Sequence, residues 1–333
     1  MNNITKIMFM LMTMTGTILT FCSETWLGMW MGMEINLISF IPILHQSKNK
    51  SSSESCMIYF LTQSLGSIIL LITVLSNSLI MKSPSMIEDL FKMSLLFSMM
   101  IKLGMPPFHF WFPEILEKMN WTNCMILMTW QKIAPMTVLM NIMNEQNIMM
   151  NTVIIMTVMT GAIGGLNQTS IRKIMAFSSI NHMGWMIACL KFNNYLWINY
   201  LLLYSFILLM MTFIFKKYAS YYINQLTSMS MSFTEKALIT TLFMSLGGLP
   251  PFLGFLPKWM VIESLINQNL YFLLFIMIMS VLITLFYYLR LSSTILLING
   301  STFKWNNKKL LKKSILYSMI SMNLSLPLLT FSL

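Results

Sequence analysis

The sequence predicts an all-α fold, a polytopic membrane helix bundle of about eleven transmembrane helices forming one integral membrane domain over residues 1–333. Three observations predict it. Hydrophobic residues make up 56% of the chain and charged residues 9%, with a mean hydropathy of +0.71. A soluble domain carries about 25% charged residues, so these charges could not cover a globule in water. Second, the apolar residues fall in repeated runs of about twenty, the length that crosses about 30 Å of hydrocarbon at 1.5 Å per residue. Third, the basic residues behind the formal net charge of +11 gather in short connections between the runs. They form no basic-aromatic patch, so they point to membrane orientation and not to nucleic acid.

In chain order the spans are read as 6–22, 26–44, 56–81, 90–118, 122–143, 148–166, 172–190, 195–215, 237–266, 271–297 and 314–331. The opening "MNNITKIMFMLM" leads straight into the first span, with neither a secretory n-region nor an Arg-rich presequence. The second, "WLGMWMGMEINLISFIPIL", is apolar except near its centre. "HQSKNKSSSES" (45–55) is expected to be a polar surface loop before the third span. The fourth and ninth spans are interrupted by glycine and proline, and each is read as one broken helix. The others are assigned on length and hydropathy. "KWNNKKLLKK" (304–313), ahead of the last span, reads as an orientation signal in preference to an anionic-lipid contact.

The connections test the count. The side of the N-terminus holds fourteen basic residues: Lys6, Lys48, Lys50, Lys118, Arg172, Lys173, Lys216, Lys217, Lys236, Lys304, Lys308, Lys309, Lys312 and Lys313. The other side holds three, Lys82, Lys92 and Lys191. One missed helix would scramble that asymmetry, which places the N-terminal side on the negative, inner face of the membrane.

The interrupted spans match one another. "GMPPFHFWFPE" (104–114) aligns with "GLPPFLGFLPK" (248–258) at a constant offset of 144 residues, and six of the ten prolines pair across it. Proline removes an amide donor and clashes with the preceding turn. Gly104, Pro106 and Pro107 in one copy, and Gly247, Gly248, Pro250 and Pro251 in the other, should therefore unwind a helix. In lipid that is tolerated only where protein or a water-filled cavity satisfies the freed groups. Paired Gly/Pro-interrupted spans are the sign of a repeat-built transporter. Corresponding spans lie five apart, an odd number, so the two halves, about 1–143 and 148–297, are expected to be inverted, with 298–333 a C-terminal helix.

Four charges sit where hydrocarbon should be. Glu34 and Lys132 lie near the centres of their spans, Lys102 ends the first half of the broken fourth span, and Lys258 opens the second half of the broken ninth. Each costs about 2.5–3.5 kcal/mol at a helix centre, so the four together would rival a whole protein's stability, about 5–15 kcal/mol. They are tolerated only if they face one another or water. One acid cannot neutralise three lysines, which argues against simple ion-pair clamping. Burial and a nearby carboxylate act in opposite senses on an ammonium's hold on its proton. Moving Glu34 relative to Lys102 would toggle that hold, and a row of such groups with water between them is a proton relay. His109, just after the prolines, and His182, in "SSINHMGW", are further candidates; each could equally be a hydrogen-bonded packing residue. Glu114, Glu117 and Lys118 look interfacial. Cys22, Cys56, Cys124 and Cys189 lie far apart with no CxxC, so local spacing supports neither an iron–sulfur nor a zinc site. Three histidines, His45, His109 and His182, are too few for two bis-histidine haems.

"WLGMWMGMEINLISFIP", "KLGMPPFHFWFPE", "MTWQKIAP", "GAIGGLNQTSIRKIMAFSSINHMGW" and "SLGGLPPFLGFLPKW" resemble the NADH dehydrogenase subunit 2 family of mitochondrial respiratory complex I, with the look of its insect members. The motifs run in order from about residue 24 to 290. The resemblance implies an antiporter-like fold, related to Mrp-type cation/proton antiporters, with two inverted five-helix repeats and a broken helix in each. It implies proton-channel roles for Glu34 and its partner Lys102, for Lys132 as the central lysine and for Lys258 as the terminal one. It implies a multi-pass protein of the mitochondrial inner membrane with its N-terminus in the matrix. It also implies a chain that binds no NADH, FMN, iron–sulfur cluster or ubiquinone, those belonging to other subunits. The expected partners are the neighbouring antiporter-like and other membrane-arm subunits, accessory subunits and phospholipids, some of them structural lipids. The 38 methionines resemble proteins of AT-rich mitochondrial genomes. Three functions stay open at this point: a proton-pumping subunit of NADH:ubiquinone oxidoreductase, a free secondary cation/proton antiporter, and a non-pumping spacer of the membrane arm.

Overall fold

The computed structural model describes residues 3–45, 49–79, 85–142, 147–191, 195–228, 231–297 and 313–325. Lys48, Lys82, Lys304, Lys308, Lys309 and Lys312 of the orientation argument, most of "KWNNKKLLKK" and the end of the last span lie outside them. The described residues are helical, with one isolated β-bridge between Ser170 and Tyr222. Helices α1 (Asn3–Cys22), α2 (Trp26–Leu44), α3 (Lys50–Leu79) and α4 (Ser85–Leu103) are followed by the short α5 (Trp111–Lys118) and α6 (Trp121–Met128). A 3₁₀ turn (Trp130–Lys132) leads into α7 (Ile133–Ile142). Then come α8 (Asn147–Gly164), α9 (Ile171–Leu190), α10 (Leu196–Tyr218), α11 (Ile223–Ser228), α12 (Phe233–Gly247), α13 (Phe255–Asn267), α14 (Tyr271–Leu297) and α15 (Lys313–Asn323). Five helices, α1, α2, α3, α10 and α14, are each long and apolar enough to cross a membrane.

Several boundaries differ from the sequence expectation, each for a local reason. "KSSSES" is not loop but the first turns of α3, because its hydroxyls bond inside the helix: Ser53 donates to the Lys50 carbonyl at 2.7 Å and Ser55 to the Ser52 carbonyl at 2.8 Å. Polar side chains satisfied this way do not end a helix. α12 begins four residues before the expected 237, at a capping box. The Glu235 amide donates to the Ser232 hydroxyl and the Ser232 amide to the Glu235 carboxylate. The expected single span 122–143 is divided at Thr129, which sits at φ −118° and ψ −73°. Pro135 explains the division: it has no amide to return to the Gln131 carbonyl, and its ring crowds that carbonyl.

The chain forms two compact units, Met1–Met150 and Asn151–Leu333. In the first, α1 lies along α2 at a crossing only small residues allow. A Cβ on Gly32 would stand 2.6 Å from Thr20 Cγ2, and one on Gly16 would stand 2.9 Å from the Asn36 amide nitrogen. Helices α2, α3, α4, α5 and α7 then surround the buried side chains Phe40, Tyr59, Leu70, Met99 and Ile115. In the second unit α9, α10, α12, α13 and α14 pack around Trp185, Tyr200, Phe215, Phe243 and Tyr287. The segment before α9 is stitched to the one after α10 by the Ile171 amide on the Tyr221 carbonyl, 2.9 Å, and the Ile223 amide on the Thr169 carbonyl, 3.2 Å.

Candidate functional site

The two broken helices close in the same way. α4 ends where Gly104 turns to φ +68°, and α12 where Gly248 turns to φ +78°. In the first break the Gly104 amide donates to the Ile101 carbonyl, Met105 to Met100 and Phe108 to Met105. In the second, Gly248 donates to Ser245, Leu249 to Met244 and Phe252 to Leu249. Every pair keeps the sequence offset. A positive φ is what a helix C-terminus of this kind asks for and what glycine supplies without a Cβ clash.

Each break frees carbonyls that membrane interiors cannot leave bare, and the two units satisfy them differently. In the first, the Trp111 indole N–H donates to the Ile101 carbonyl at 3.1 Å and the Gln63 carboxamide to the Lys102 carbonyl at 3.0 Å. In the second, Lys258 Nζ does the work, donating to the Gly247 carbonyl at 2.7 Å and the Leu246 carbonyl at 3.2 Å. The Leu253 amide is held by the Asn323 carbonyl of α15. Lys258 is 4% exposed. A cation at the C-terminal end of a helix also meets the negative end of its dipole.

The first unit holds a partly open cavity with about 30 Å³ accessible to the centres of water molecules. A water needs about 10–15 Å³ by that measure, so there is room for about two. Lys102 and Lys132 both line it, with Met33, Asn36 and Leu37 from α2, Tyr59 and Gln63 from α3, and Gln131 from the 3₁₀ turn. Lys102 is 6% and Lys132 3% exposed. Lys102 Nζ lies 3.7 Å from Met33 Sδ, and its stem passes over Gly66, whose missing side chain leaves the space. Lys132 Nζ stands 5.7 Å from the centre of the Phe112 ring, within cation–π range. Across the cavity wall the Gln131 carboxamide donates to Asn36 Oδ1 at 3.0 Å and accepts from the Tyr59 hydroxyl at 3.4 Å.

The other sequence candidates are placed as follows. Glu34 is half-buried, next to Met33, and is not among the residues lining the cavity. One ion pair lies at the surface, Lys118 to Glu54 at 3.0 Å. His109 lies outside the cavity lining, its ring 4.2 Å from that of Phe110. His182 belongs to the second unit, where its Nδ1 is 2.8 Å from the Tyr200 hydroxyl and its ring 4.6 Å from that of Tyr204. Beyond the spans, burial pulls the Lys191 ammonium below its ordinary value, and its Nζ donates to Asn151 Oδ1 at 2.8 Å.

Sequence reasoning missed Asn36, Tyr59, Gln63 and Gln131 in the first unit, and Tyr200 and Tyr204 in the second. The signal was there: carboxamides and phenols inside apolar runs, in places where a polar group must find a partner. It missed the 3₁₀ turn under Lys132 as well, although Pro135 marks it.

A transmembrane family model described as NADH:quinone oxidoreductase/Mrp antiporter matches residues 23–284. NADH-ubiquinone oxidoreductase chain 2 of Anopheles gambiae is 44% identical over 329 residues, covering 96% of each chain. That of Bos taurus is 36% identical over 343 residues, covering 98% of each. Among solved structures, a chain of respiratory complex I from Thermus thermophilus aligns with a TM-score of 0.83 at 19% identity, covering 98% of this chain and 78% of that one. A chain of the Mrp complex from a Dietzia species aligns at 0.79 and 17% identity, covering 91% and 62%. Both structural likenesses speak for the fold.

Proposed function

Because the chain belongs to the NADH:quinone oxidoreductase/Mrp antiporter family of membrane proteins, we propose that its lysine-lined cavity is a segment of a proton path. The chain is then a proton-translocating membrane subunit of mitochondrial NADH:ubiquinone oxidoreductase; its curated relatives, matched over almost their whole length, carry the name NADH-ubiquinone oxidoreductase chain 2. Those names are of a chain within a complex, which favours a subunit over a free antiporter. The observation that carries the path is the cavity, with two buried lysines on one space that has room for about two waters.

In this reading the redox energy is released in other subunits, which hold NADH, FMN, the iron–sulfur clusters and ubiquinone, while this chain moves protons only. Lys132 is the relay centre. Glu34 and Lys102 are the coupling pair, acting through space: a change in their separation alters how tightly the Lys102 ammonium holds its proton. Lys258 passes the proton towards a neighbouring antiporter-like subunit, and its grip on the freed carbonyls at the end of α12 supports a role for its charge state. His182 is a secondary element of the second unit. His109 packs beside the first break.

The finer architecture is part of the same reading: eleven spans, two inverted five-helix repeats supported by the offset-matched hydrogen bonds of the two breaks, and a matrix N-terminus supported by the basic connections. The partners are other membrane-arm and accessory subunits and phospholipids. Replacing Lys132 by methionine in the assembled enzyme tests it. Protons pumped per electron pair should fall while the enzyme still assembles; unchanged pumping refutes the relay.

A further inference from the structure

We propose that Asn36, Gln131 and Tyr59 form a non-titrating hydrogen-bonded bridge that positions the proton-carrying water between Lys102 and Lys132, with Gln131 as its central positioning residue. The inference rests on the reading of the cavity as a proton path, and adds to it the groups that order what lies between the lysines.

The geometry is specific. The three side chains come from three separate elements, α2, the 3₁₀ turn and α3, and all three line the cavity. Asn36 and Tyr59 are 4% and 3% exposed. Gln131 joins them by one donated bond of 3.0 Å and one accepted bond of 3.4 Å. A primary carboxamide carries two N–H donors and an oxygen with two lone pairs, so these two bonds leave Gln131 one donor and one lone pair for water in the cavity. Gln131 is also the residue before Lys132, on the turn that Pro135 opens. Fixing its carboxamide to α2 and α3 therefore fixes the base of the Lys132 side chain.

The residue type suits the task. A carboxamide neither gains nor loses a proton in the working range, so it can orient water without trapping the proton in transit, as a carboxylate would. The step balances simply. The proton leaves the Lys102 ammonium, crosses the cavity water and arrives on the Lys132 amine; no covalent bond of the bridge changes. The Tyr59 hydroxyl and the two carboxamides act as fixed dipoles that hold the water in line, the pre-organisation that keeps a transfer from waiting on solvent reorganisation.

The test uses the assembled enzyme in inner-membrane vesicles, with NADH:ubiquinone turnover read in H₂O and D₂O together with protons pumped per electron pair. Gln131→Leu, close in shape and without hydrogen bonds, should slow pumping-coupled turnover about thirtyfold, the factor for losing the two hydrogen bonds that Gln131 makes in the bridge. It should also raise the solvent isotope effect, which a packing defect would leave alone. The exchanged pair, Asn36→Gln with Gln131→Asn, keeps the total reach of the bridge and should recover most of the rate and the normal isotope effect. Tyr59→Phe removes one hydroxyl and no shape, and should shift both readouts in the same direction but less. An unchanged rate and isotope effect in Gln131→Leu, or in Tyr59→Phe where Gln131→Leu does not assemble, overturns the bridge. Lys132→Met separates the two levels: if it suppresses pumping while the bridge variants do not, the bridge is wrong and the proton path stands. If it does not, the path itself fails.

Discussion

Gly66→Ala is the sharpest probe of how Lys102 is held. Gly66 lies within α3, and an added Cβ would stand 2.8 Å from Lys102 Cγ, 3.2 Å from the Ser98 carbonyl oxygen and 3.4 Å from Lys102 Cε. Ordinary contact begins at 3.4 Å, so the lysine stem must move by about 0.6 Å, and Cγ is too near the backbone to swing away freely. Two effects of opposite sign follow. Alanine in place of a helical glycine favours the helix by about 0.5–1 kcal/mol. Displacing a relay group works the other way: a misplacement of about 1 Å costs roughly 10²-fold in rate, so about 0.6 Å should cost on the order of tenfold. The expected outcome is an enzyme that still assembles, withstands heat no better than the parent because overpacking of about 1–3 kcal/mol offsets the helix gain, and turns over about tenfold more slowly with pumping attached. Thermal inactivation and vesicle acidification, measured on the same preparation, check both halves. Undiminished pumping with the methyl in place would refute the claim that Gly66 exists to seat Lys102.

Three further outcomes are expected. Gly248→Ala should be worse than Gly66→Ala, since φ +78° costs an L-residue about 1–2 kcal/mol. Its Cβ would also stand 2.7 Å from Lys258 Cδ, prising Nζ from the Gly247 and Leu246 carbonyls; lower heat resistance and lower pumping together would show it. His109→Phe should leave protons per electron pair unchanged, because the imidazole does not line the cavity, and a loss of pumping would place it in the path. Glu54→Gln removes the exposed pair with Lys118 and should alter stability by less than about 1 kcal/mol, read as a thermal midpoint that moves by no more than a few degrees.

The chain by itself determined the membrane class, the two broken helices and the unusual charges. Each is a property of residues near one another in sequence. Composition decides whether water or lipid is the solvent. A Gly-x-Pro-Pro run removes donors wherever it stands, so both breaks could be located from the letters alone. A lysine inside twenty apolar residues needs a partner whatever surrounds it.

Tertiary structure decided what those charges meet. Hydropathy sees a residue against its chain neighbours, while helix rotation and crossing choose the facing side chains. That is why Met33, and not Glu34, touches Lys102, and why Gln63, thirty-nine positions away, caps the Lys102 carbonyl. It is why the matching carbonyl in the second unit, on Leu246, is capped by Lys258 instead. Asn36, Tyr59 and Gln131 are unremarkable polar letters in three different helical segments. Only packing brings them onto one cavity with Lys102 and Lys132, because a side chain's partner is set by which helix faces lie together, a choice made by the whole unit at once.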